Sequence, residues 1–406
     1  MQDDRLKRPV MTYAEDSQLW ISLADQFEAR LPLRQLQWQQ PANERAVANV
    51  GSSRTIAALN VDIKPFSTDL LPKFSPGGFS HNNVFLHLFL VGCDDIEQYR
   101  NSVKRRLQDW MSAVGSKKSQ EWLVVYVAGP EATKRTIFNV GGNVIDKLRS
   151  DFGLKKERLV LLRPAASDPK EAEMWNELFT RMKEWLMAAI AQQVSQYDED
   201  ARRLEQQRLM PGWNYCQYFA MKEALAFTYE LATLYDEALL HYDELEATFF
   251  QTLAEQGAPW FKTFGGLQPG DDCADVLHLD RKPYRDLIIQ NSISIFDFRV
   301  YLFGRQCILL LLQKLPDVLL KRAHAFATSF SKTLLEYQVS LFPLFRESWV
   351  YSFAMYIVRE CDAAIQNMSI EASRRSQYDL INAELLQMAR IQVLNSFFSP
   401  LIDSLL

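Results

Sequence analysis

PGWNYCQYFAMKEALAFTYELATLYDEALLHYDELE, Pro211 to Glu246, is the stretch on which the reading of this 406-residue chain turns. Leu225, Ala226 and Tyr229 share one face of a first helix, and Ala238 and Tyr242 share one face of a second. Small residues at 226 and 238 let two antiparallel helices approach closely, while the aromatic rings fill the seam between them. Such a pair cannot bury its outer face alone, so it needs neighbours stacked on either side.

The spacing is that of a tetratricopeptide-type unit: L-G-x-x-Y in the first helix and A-x-x-x-F in the second. The tryptophan of that motif is replaced by Lys222 and its proline is missing, so a helical hairpin in an ordinary all-α domain stays open beside the solenoid unit.

Downstream, Gly257 to Pro283 is rich in Gly, Pro and Asp and reads as a loop. Helices are predicted again at Ile293 to Gln313, Asp317 to Tyr337, Phe345 to Ile365 and Ala372 to Phe398. The last segment stays amphipathic almost to Leu406 with no polar cap, which is the expectation for the N-terminal piece of a longer array. Upstream, Ser167 or Asp168 caps a long helix with the stripe Ala172, Trp175, Leu178, Phe179, Met182, Trp185, Leu186 and Ile190, bridging two regions. Its charged continuation, Asp198 to Arg208, is stopped by Met210, Pro211 and Gly212.

The first half has another grammar. Val84 to Val91 (VFLHLFLV), Trp122 to Ala128 (WLVVYVA) and Arg158 to Leu162 (RLVLL) read as buried strands. Between them lies a helix with the apolar face Ile96, Tyr99, Val103, Leu107, Trp110 and Val114, and a second helix spans Val144 to Phe152. Strand–helix–strand succession predicts parallel strands with right-handed crossovers. Further strands are expected at Val10 to Tyr13 and Thr55 to Val61, a helix at Asp16 to Ala29, and a loop through Pro65, Pro72, Pro76, Gly77 and Gly78. The fold class expected is therefore a mostly parallel α/β domain over residues 1–200, followed by an all-α, tetratricopeptide-like α-solenoid over residues 201–406.

Composition narrows the function. Hydrophobic residues at 48% and charged residues at 23% match a soluble globular protein. No apolar run is long enough to span a bilayer, the longest being Cys307 to Leu312, and Met1 to Val10 lacks the apolar core of a secretion signal. Cys93, Cys216, Cys273, Cys307 and Cys361 are scattered and without C-x-x-C spacing, so reduced, buried structural thiols in the cytosol are expected. Residues 1–195 carry 26 Lys+Arg against 23 Asp+Glu, a net of +3, and residues 196–406 carry 19 against 27, a net of −8.

Neither G-x-x-x-x-G-K-[ST] nor G-x-G-x-x-G follows the early strands. Gly129 with Lys134, and Gly141 with Gly142, are the nearest approaches and read as turn glycines. His87 in its apolar strand reads as a satisfied core residue, and His81, His241, His278 and His324 are far apart. Asp271, Asp272 and Asp275, with Cys273 and His278, form an acidic loop without a ligand register. Hence no catalytic, cofactor-binding or metal-binding residue is assigned. Residues 101–163 hold 13 Lys+Arg against 6 Asp+Glu, including Lys104, Arg105, Arg106, Lys117, Lys118, Lys155, Lys156 and Arg158. On one face these would meet an anionic membrane surface; the alternative is the solvated side of α/β helices. Nucleic acid is not expected with an acidic chain and no recognisable module.

The chain resembles the subunit 10 family of the transport protein particle (TRAPP) II complex. The residues that carry the likeness are PGWNYCQYF at Pro211 to Phe219, EALAFTYELATLYDEALLHYDELE at Glu223 to Glu246 and DFRVYLFGRQCILLL at Asp297 to Leu311. LPLRQLQW at Leu31 to Trp38, FLHLFLVGCDDIEQY at Phe85 to Tyr99, WLVVYV from Trp122 and DKLRSDF from Asp146 add to it. The resemblance implies the N-terminal part of a longer subunit: an α/β head, then an α-solenoid. It implies a non-catalytic scaffold in a tethering and Rab guanine-nucleotide exchange complex, without cofactors, peripheral at trans-Golgi and endosomal membranes. The partners implied are other TRAPP subunits, both the small-subunit core and the other large subunit, with the Rab GTPase reached through the complex. Two readings compete: a nucleotide-binding or enzymatic α/β domain with an unconventional site, and a peripheral membrane-docking module. Trp213, Tyr215 and Trp260 are candidate interface anchors, with core packing as the expectation for them.

Overall fold

The computed structural model describes residues 7–39, 41, 53–71, 83–115, 120–128, 144–163, 168–257, 259–261, 263–366, 368 and 371–403. The chain divides into two units, Met1–Arg203 with Phe227–Leu234, and Leu204–Ala226 with Tyr235–Leu406.

In the first unit, β1 (Val10–Glu15), β4 (Asp62–Pro65), β5 (Val84–Val91), β6 (Glu121–Val127) and β7 (Leu159–Leu162) form one parallel sheet in the order β4-β1-β5-β6-β7. All eight residues of β5 are buried, which explains its unbroken apolar run: it lies inside the sheet and is covered on both faces. The helical stretch after it comprises α2 (Ile96–Gln98), a π-turn at Tyr99–Val103 and α3 (Lys104–Gly115). Of its predicted seam, Tyr99, Val103, Leu107, Trp110 and Val114 are buried against β5 and β6 side chains, while Ile96 is half-buried at the edge of the same cluster. Two more helices complete the unit's main layers, α4 (Val144–Phe152) and the long α5 (Asp168–Gln206). On α5, Trp175, Leu178, Phe179, Met182, Leu186 and Ile190 are buried as expected. Ala172 is exposed and Trp185 half-buried, its Nε1–H donating to the Glu157 carbonyl at 3.1 Å.

The early region differs from its expected elements. The helix α1 runs Trp20–Glu28, starting later than Asp16, because Asp16 holds the Gly92 N–H and Gln18 adopts φ 54°. The strand expected at Thr55 to Val61 is β3 (Ser53–Leu59), which pairs antiparallel with β2 (Leu33–Gln39) outside the main sheet. Gln35, at φ 55°, switches the buried face of β2, so Leu33, Leu36 and Trp38 point inward where strict alternation would not put them. Pro65 ends the edge strand β4, a place that tolerates a missing N–H. Pro72, Pro76, Gly77 and Gly78 lie outside the described residues.

The helices of the second half are α6 (Tyr215–Leu231), α7 (Tyr235–Gln256), the short α8 (Tyr284–Ile289), α9 (Ile295–Leu312), α10 (Pro316–Glu336), α11 (Phe345–Ile365) and α12 (Ala372–Asp403). The α6–α7 and α9–α10 turns are built alike. Thr233 and Lys314 adopt φ 59°, and the following residue closes the helix end, Leu234 N–H on the Tyr229 carbonyl and Leu315 N–H on the Leu310 carbonyl, each at 2.9 Å. Within the second unit α9 packs on α7, α10 on α9 and α11, and α12 on α10 and α11, the neighbour-on-neighbour stacking of a solenoid. Phe303 and Phe326 stack at 4.0 Å between ring centres, and Trp349 on Phe353 at 4.9 Å, inside one core. The Gly257 to Pro283 segment is folded onto this core. At Gly304 a β-carbon would stand 2.3 Å from the Val276 carbonyl oxygen, so only glycine lets the segment lie against α9.

Candidate interaction surface

Counted along the chain, the five strands of the parallel sheet stand in the order 2-1-3-4-5, which places a topological switch between β1 and β5. Sheets of this order bind ligands, nucleotides among them, in the crevice at that point, through free N–H groups of the turns and helix starts. Here carboxylates of the chain itself occupy those donors. Glu15 Oε2 accepts from Trp20 N–H at 2.7 Å at the start of α1. Asp16 Oδ1 accepts from Gly92 N–H at 3.1 Å, and Asp95 Oδ2 from Gln98 N–H at 3.0 Å at the start of α2. Asp94 Oδ1 accepts from the Tyr126 hydroxyl at 2.7 Å. Leu19 closes over Gly92, where a β-carbon would meet its Cδ2 at 2.7 Å. Two helix starts and a strand-end turn are thus capped by negative charge where a phosphate would need positive potential. Gly129, Lys134, Gly141 and Gly142 lie outside the described residues.

His87 is a core residue. Register pairs it with Thr12 on β1, and the hydroxyl of Thr12 stands 2.7 Å from Nδ1. Gln120 donates to the Val84 carbonyl, so its Oε1 faces His87 Nε2 at 2.8 Å and accepts the ring N–H. Burial lowers the imidazole pKa to about 4. Cys93, Cys216, Cys307 and Cys361 are buried, but Cys273 is exposed, against the expectation for all five: in its loop Asp271 and Ala274 take the buried positions instead. Burial pushes the Cys216 thiol up to about 12, leaving it an inert core group.

The acidic loop is pinned by cations and hydroxyls. Lys282 Nζ reaches Asp271 Oδ1 and Asp297 Oδ1, both at 2.6 Å, while Asp272 accepts from the Ser348 hydroxyl at 2.8 Å. Asp275 pairs with His278, whose ring is also met by the Tyr356 hydroxyl at 3.3 Å. His241 and His324 lie by Glu244 and Glu384, and His81 falls outside the described residues.

The basic stretch is partly spent inside the fold. Lys104 pairs with Asp151 at 3.0 Å, and Arg158 stands 3.4 Å over the Trp185 ring and 2.6 Å from Glu121. Arg106 donates to the Asp16 carbonyl, while Arg105, Lys155 and Lys156 are exposed. Lys117 and Lys118 lie outside the described residues.

Trp213 and Tyr215 are core, as expected. The Tyr215 hydroxyl donates to the Leu245 carbonyl at 2.9 Å, and Trp213 Nε1–H donates to the Leu204 carbonyl at 2.7 Å. Trp260 is half-buried, with its ring edge-on to Trp213. The exposed apolar groups sit elsewhere. On α12 the buried seam is Tyr378, Ile381, Leu385 and Ala389, yet Leu380, Ile391 and Leu394 are exposed on the opposite side. At 100° per residue these three fall within a narrow arc nearly opposite the seam. With Gln387 between them, these three apolar side chains mark a second contact face on α12. Sequence reading registered one amphipathic segment here and missed the second stripe, whose signal was Leu380 and Leu394 two heptads apart.

Residues 4–208 match the family model for trafficking protein particle complex subunit 10-like, N-terminal. Among curated proteins, the trafficking protein particle complex subunit 10 of Dictyostelium discoideum is 27% identical over 396 residues, covering 88% of this chain and 26% of the relative. The mouse subunit 10 is 29% identical over 90% of this chain and 29% of its own length. The II-specific subunit 130 homolog of Oryza sativa is 28% identical over 95% of this chain and 30% of its own length. The chain therefore spans less than a third of the curated relatives it matches.

Proposed function

This chain belongs to the trafficking protein particle complex subunit 10-like family, and from that we propose that it is a non-catalytic scaffold of a TRAPP II-type tethering and Rab guanine-nucleotide exchange complex. In this reading residues 1–200 form the head and residues 201–406 open the helical array. The complex works in vesicle-mediated transport at Golgi and endosomal membranes, with other TRAPP subunits as direct partners and the Rab GTPase reached through them. No described helix is long and apolar enough to cross a membrane.

The observation that carries the scaffold role is the neighbour-on-neighbour helical stack of the second unit, whose last described helix, α12, presents a second set of exposed apolar side chains to a further packing partner. Large exposed apolar patches mark interaction sites. Purified chain is expected to capture TRAPP subunits in a pull-down, with cross-links near α12. Changing Leu380, Ile391 and Leu394 together to serine is expected to weaken capture about a hundredfold or more, at roughly 1 kcal/mol or above per buried side chain. Unchanged melting would show that the fold survives. A folded chain that captures no TRAPP subunit overturns the proposal.

The competing nucleotide-binding reading meets the carboxylate-capped crevice of the head. Calorimetric titration with GTP, GDP or ATP is expected to give no saturable heat up to about 1 mM, a dissociation constant worth only ~4 kcal/mol. Saturable micromolar binding would restore it.

A further inference from the structure

Between α10 and α11 the chain runs Tyr337–Gln338–Val339–Ser340–Leu341–Phe342–Pro343–Leu344–Phe345, nine residues without a charge. Val339 is 97% exposed and Phe342 55%, with Tyr337 and Leu344 exposed beside them. Leu267 joins the patch, since the neighbouring Gly266 lies against Leu341 and Phe345. The turn is rigidly held. Tyr337 stacks on Phe264 at 4.0 Å, Gln338–Ser340 forms a 3₁₀ turn, and Leu344 takes φ 60°. A backbone already ordered in this way loses little freedom on binding, which favours a docking role.

One helical turn back from Tyr337 stands Thr333, and with it an unusual arginine. Arg299 is 6% exposed, yet among the described residues no carboxylate forms an ion pair with it. Its Nη1 donates to the Thr333 hydroxyl at 3.1 Å and its Nη2 to the Ser329 hydroxyl at 3.4 Å. The guanidinium lies 4.6 Å from the centre of the Phe330 ring, 5.2 Å from Phe250 and 5.5 Å from Phe326. Phe250 and Ser329 are exposed, forming the outer lip of this box. Glu246 acts on Arg299 only at a distance, with its Oε2 taken by Gln306 at 3.0 Å. A desolvated cation held by neutral hydroxyls and aromatic faces retains capacity for a carboxylate.

We propose that the 337–345 turn and the Arg299 box form one docking site for an acidic, apolar segment of a partner protein: apolar side chains on Val339, Phe342 and Leu267, and a carboxylate on Arg299. An extended anionic lipid surface would be repelled by the 27 Asp+Glu against 19 Lys+Arg of residues 196–406 and by Glu336, exposed beside the turn, whereas a short apolar segment meets that field with a single carboxylate set on Arg299. The inference rests on the scaffold reading, since it supplies that scaffold with one specific partner surface.

The test places a photo-reactive benzoylphenylalanine at Val339 in the full-length protein, within a purified complex containing the other TRAPP subunits. The expected cross-link falls on a partner segment with Asp or Glu within one helical turn of apolar residues. Its yield is expected to drop about tenfold or more with Arg299→Met, or with the mapped carboxylate changed to Lys on the partner, which leaves this chain intact. Cross-links to lipid, to a basic segment or to the same polypeptide would overturn the proposal, as would a yield indifferent to the partner's charge. Failure of the protein to enter the complex at all would instead count against the scaffold reading.

Discussion

Lys282→Met is expected to destabilise the helical unit by about 3–5 kcal/mol, the cost of stranding buried charge. The lysine nitrogen stands 2.6 Å from Asp271 Oδ1 and 2.6 Å from Asp297 Oδ1, and the three side chains are 14%, 5% and 14% exposed. Both carboxylates are tied into local structure. Asp271 Oδ2 accepts from Gln268 N–H at 3.0 Å, and Asp297 accepts from the Ser294 hydroxyl at 2.7 Å while its own N–H caps back onto Ser294. Neither can swing to water without unmaking a turn or the start of α9. Burial opposes the ammonium, but the two carboxylates outweigh it and hold the Lys282 pKa above its usual value. A raised pKa keeps that stabilisation whole below the ordinary lysine range and loses it only as pH climbs through the folded value, so the effect at neutral pH is undiminished. Urea unfolding followed by tryptophan fluorescence reads the change, with Trp349 inside the affected core. Adding Asp271→Asn and Asp297→Asn to the variant is expected to recover a large part of the loss. A loss under about 1 kcal/mol would place Lys282 among ordinary surface ion pairs and sink the idea.

That network shows where the sequence was legible and where it was not. Helix and strand periods were readable because burial enforces them: the Tyr99 to Val114 seam and the unbroken β5 run stand in the fold as they stand in the sequence. The hairpin of β2 and β3 was not, because a left-handed Gln35 changes which residues face inward and breaks the alternation that identifies a strand. The Asp-rich segment was readable as a loop, but its partners are Lys282, Arg281 and the distant Ser348, a pairing that no local spacing encodes. The interaction surface was the least legible part. Trp213 and Tyr215, the conspicuous aromatics, are consumed by the core, whereas the exposed groups are plain aliphatics on α12 and in one turn. Apolar residues have the same signature in sequence whether covered by the same chain or by another one, and only the three-dimensional arrangement separates the two cases.

Acidification from pH 6.5 to pH 4 is expected to remove about 3 kcal/mol from the head through His87 alone, since each tenfold loss of proton affinity on folding is worth roughly 1.4 kcal/mol. The ring is neutral in the fold and its pKa is lowered to about 4, chiefly by burial. The sign follows from where each state takes up its proton. The unfolded chain protonates His87 near 6.5, whereas the fold resists until about 4, so stability is full above 6.5 and drains as pH falls through this window. Below about 4 the loss from this residue is complete. A second window opens lower down in the helical unit. Glu244, drawn down to about 2 by His241 and Lys222 against its own desolvation, gives up its contribution only between about 4.5 and 2. The geometry explains why His87 does not simply turn to water: Thr12, Gln120 and the Phe66 ring at 5.7 Å hold it on three sides in the middle of β5. Labelling histidine at Cε1 and following the carbon-attached proton by NMR measures the titration directly, and the His87 signal is expected to move near pH 4. His87→Gln is expected to flatten the stability profile of the head between pH 6.5 and 4, whatever it costs at neutral pH. An imidazole titrating near 6.5, or a His87→Gln profile as steep as the parent, would show that the fold accepts the charged ring and that acid acts on the head through other groups.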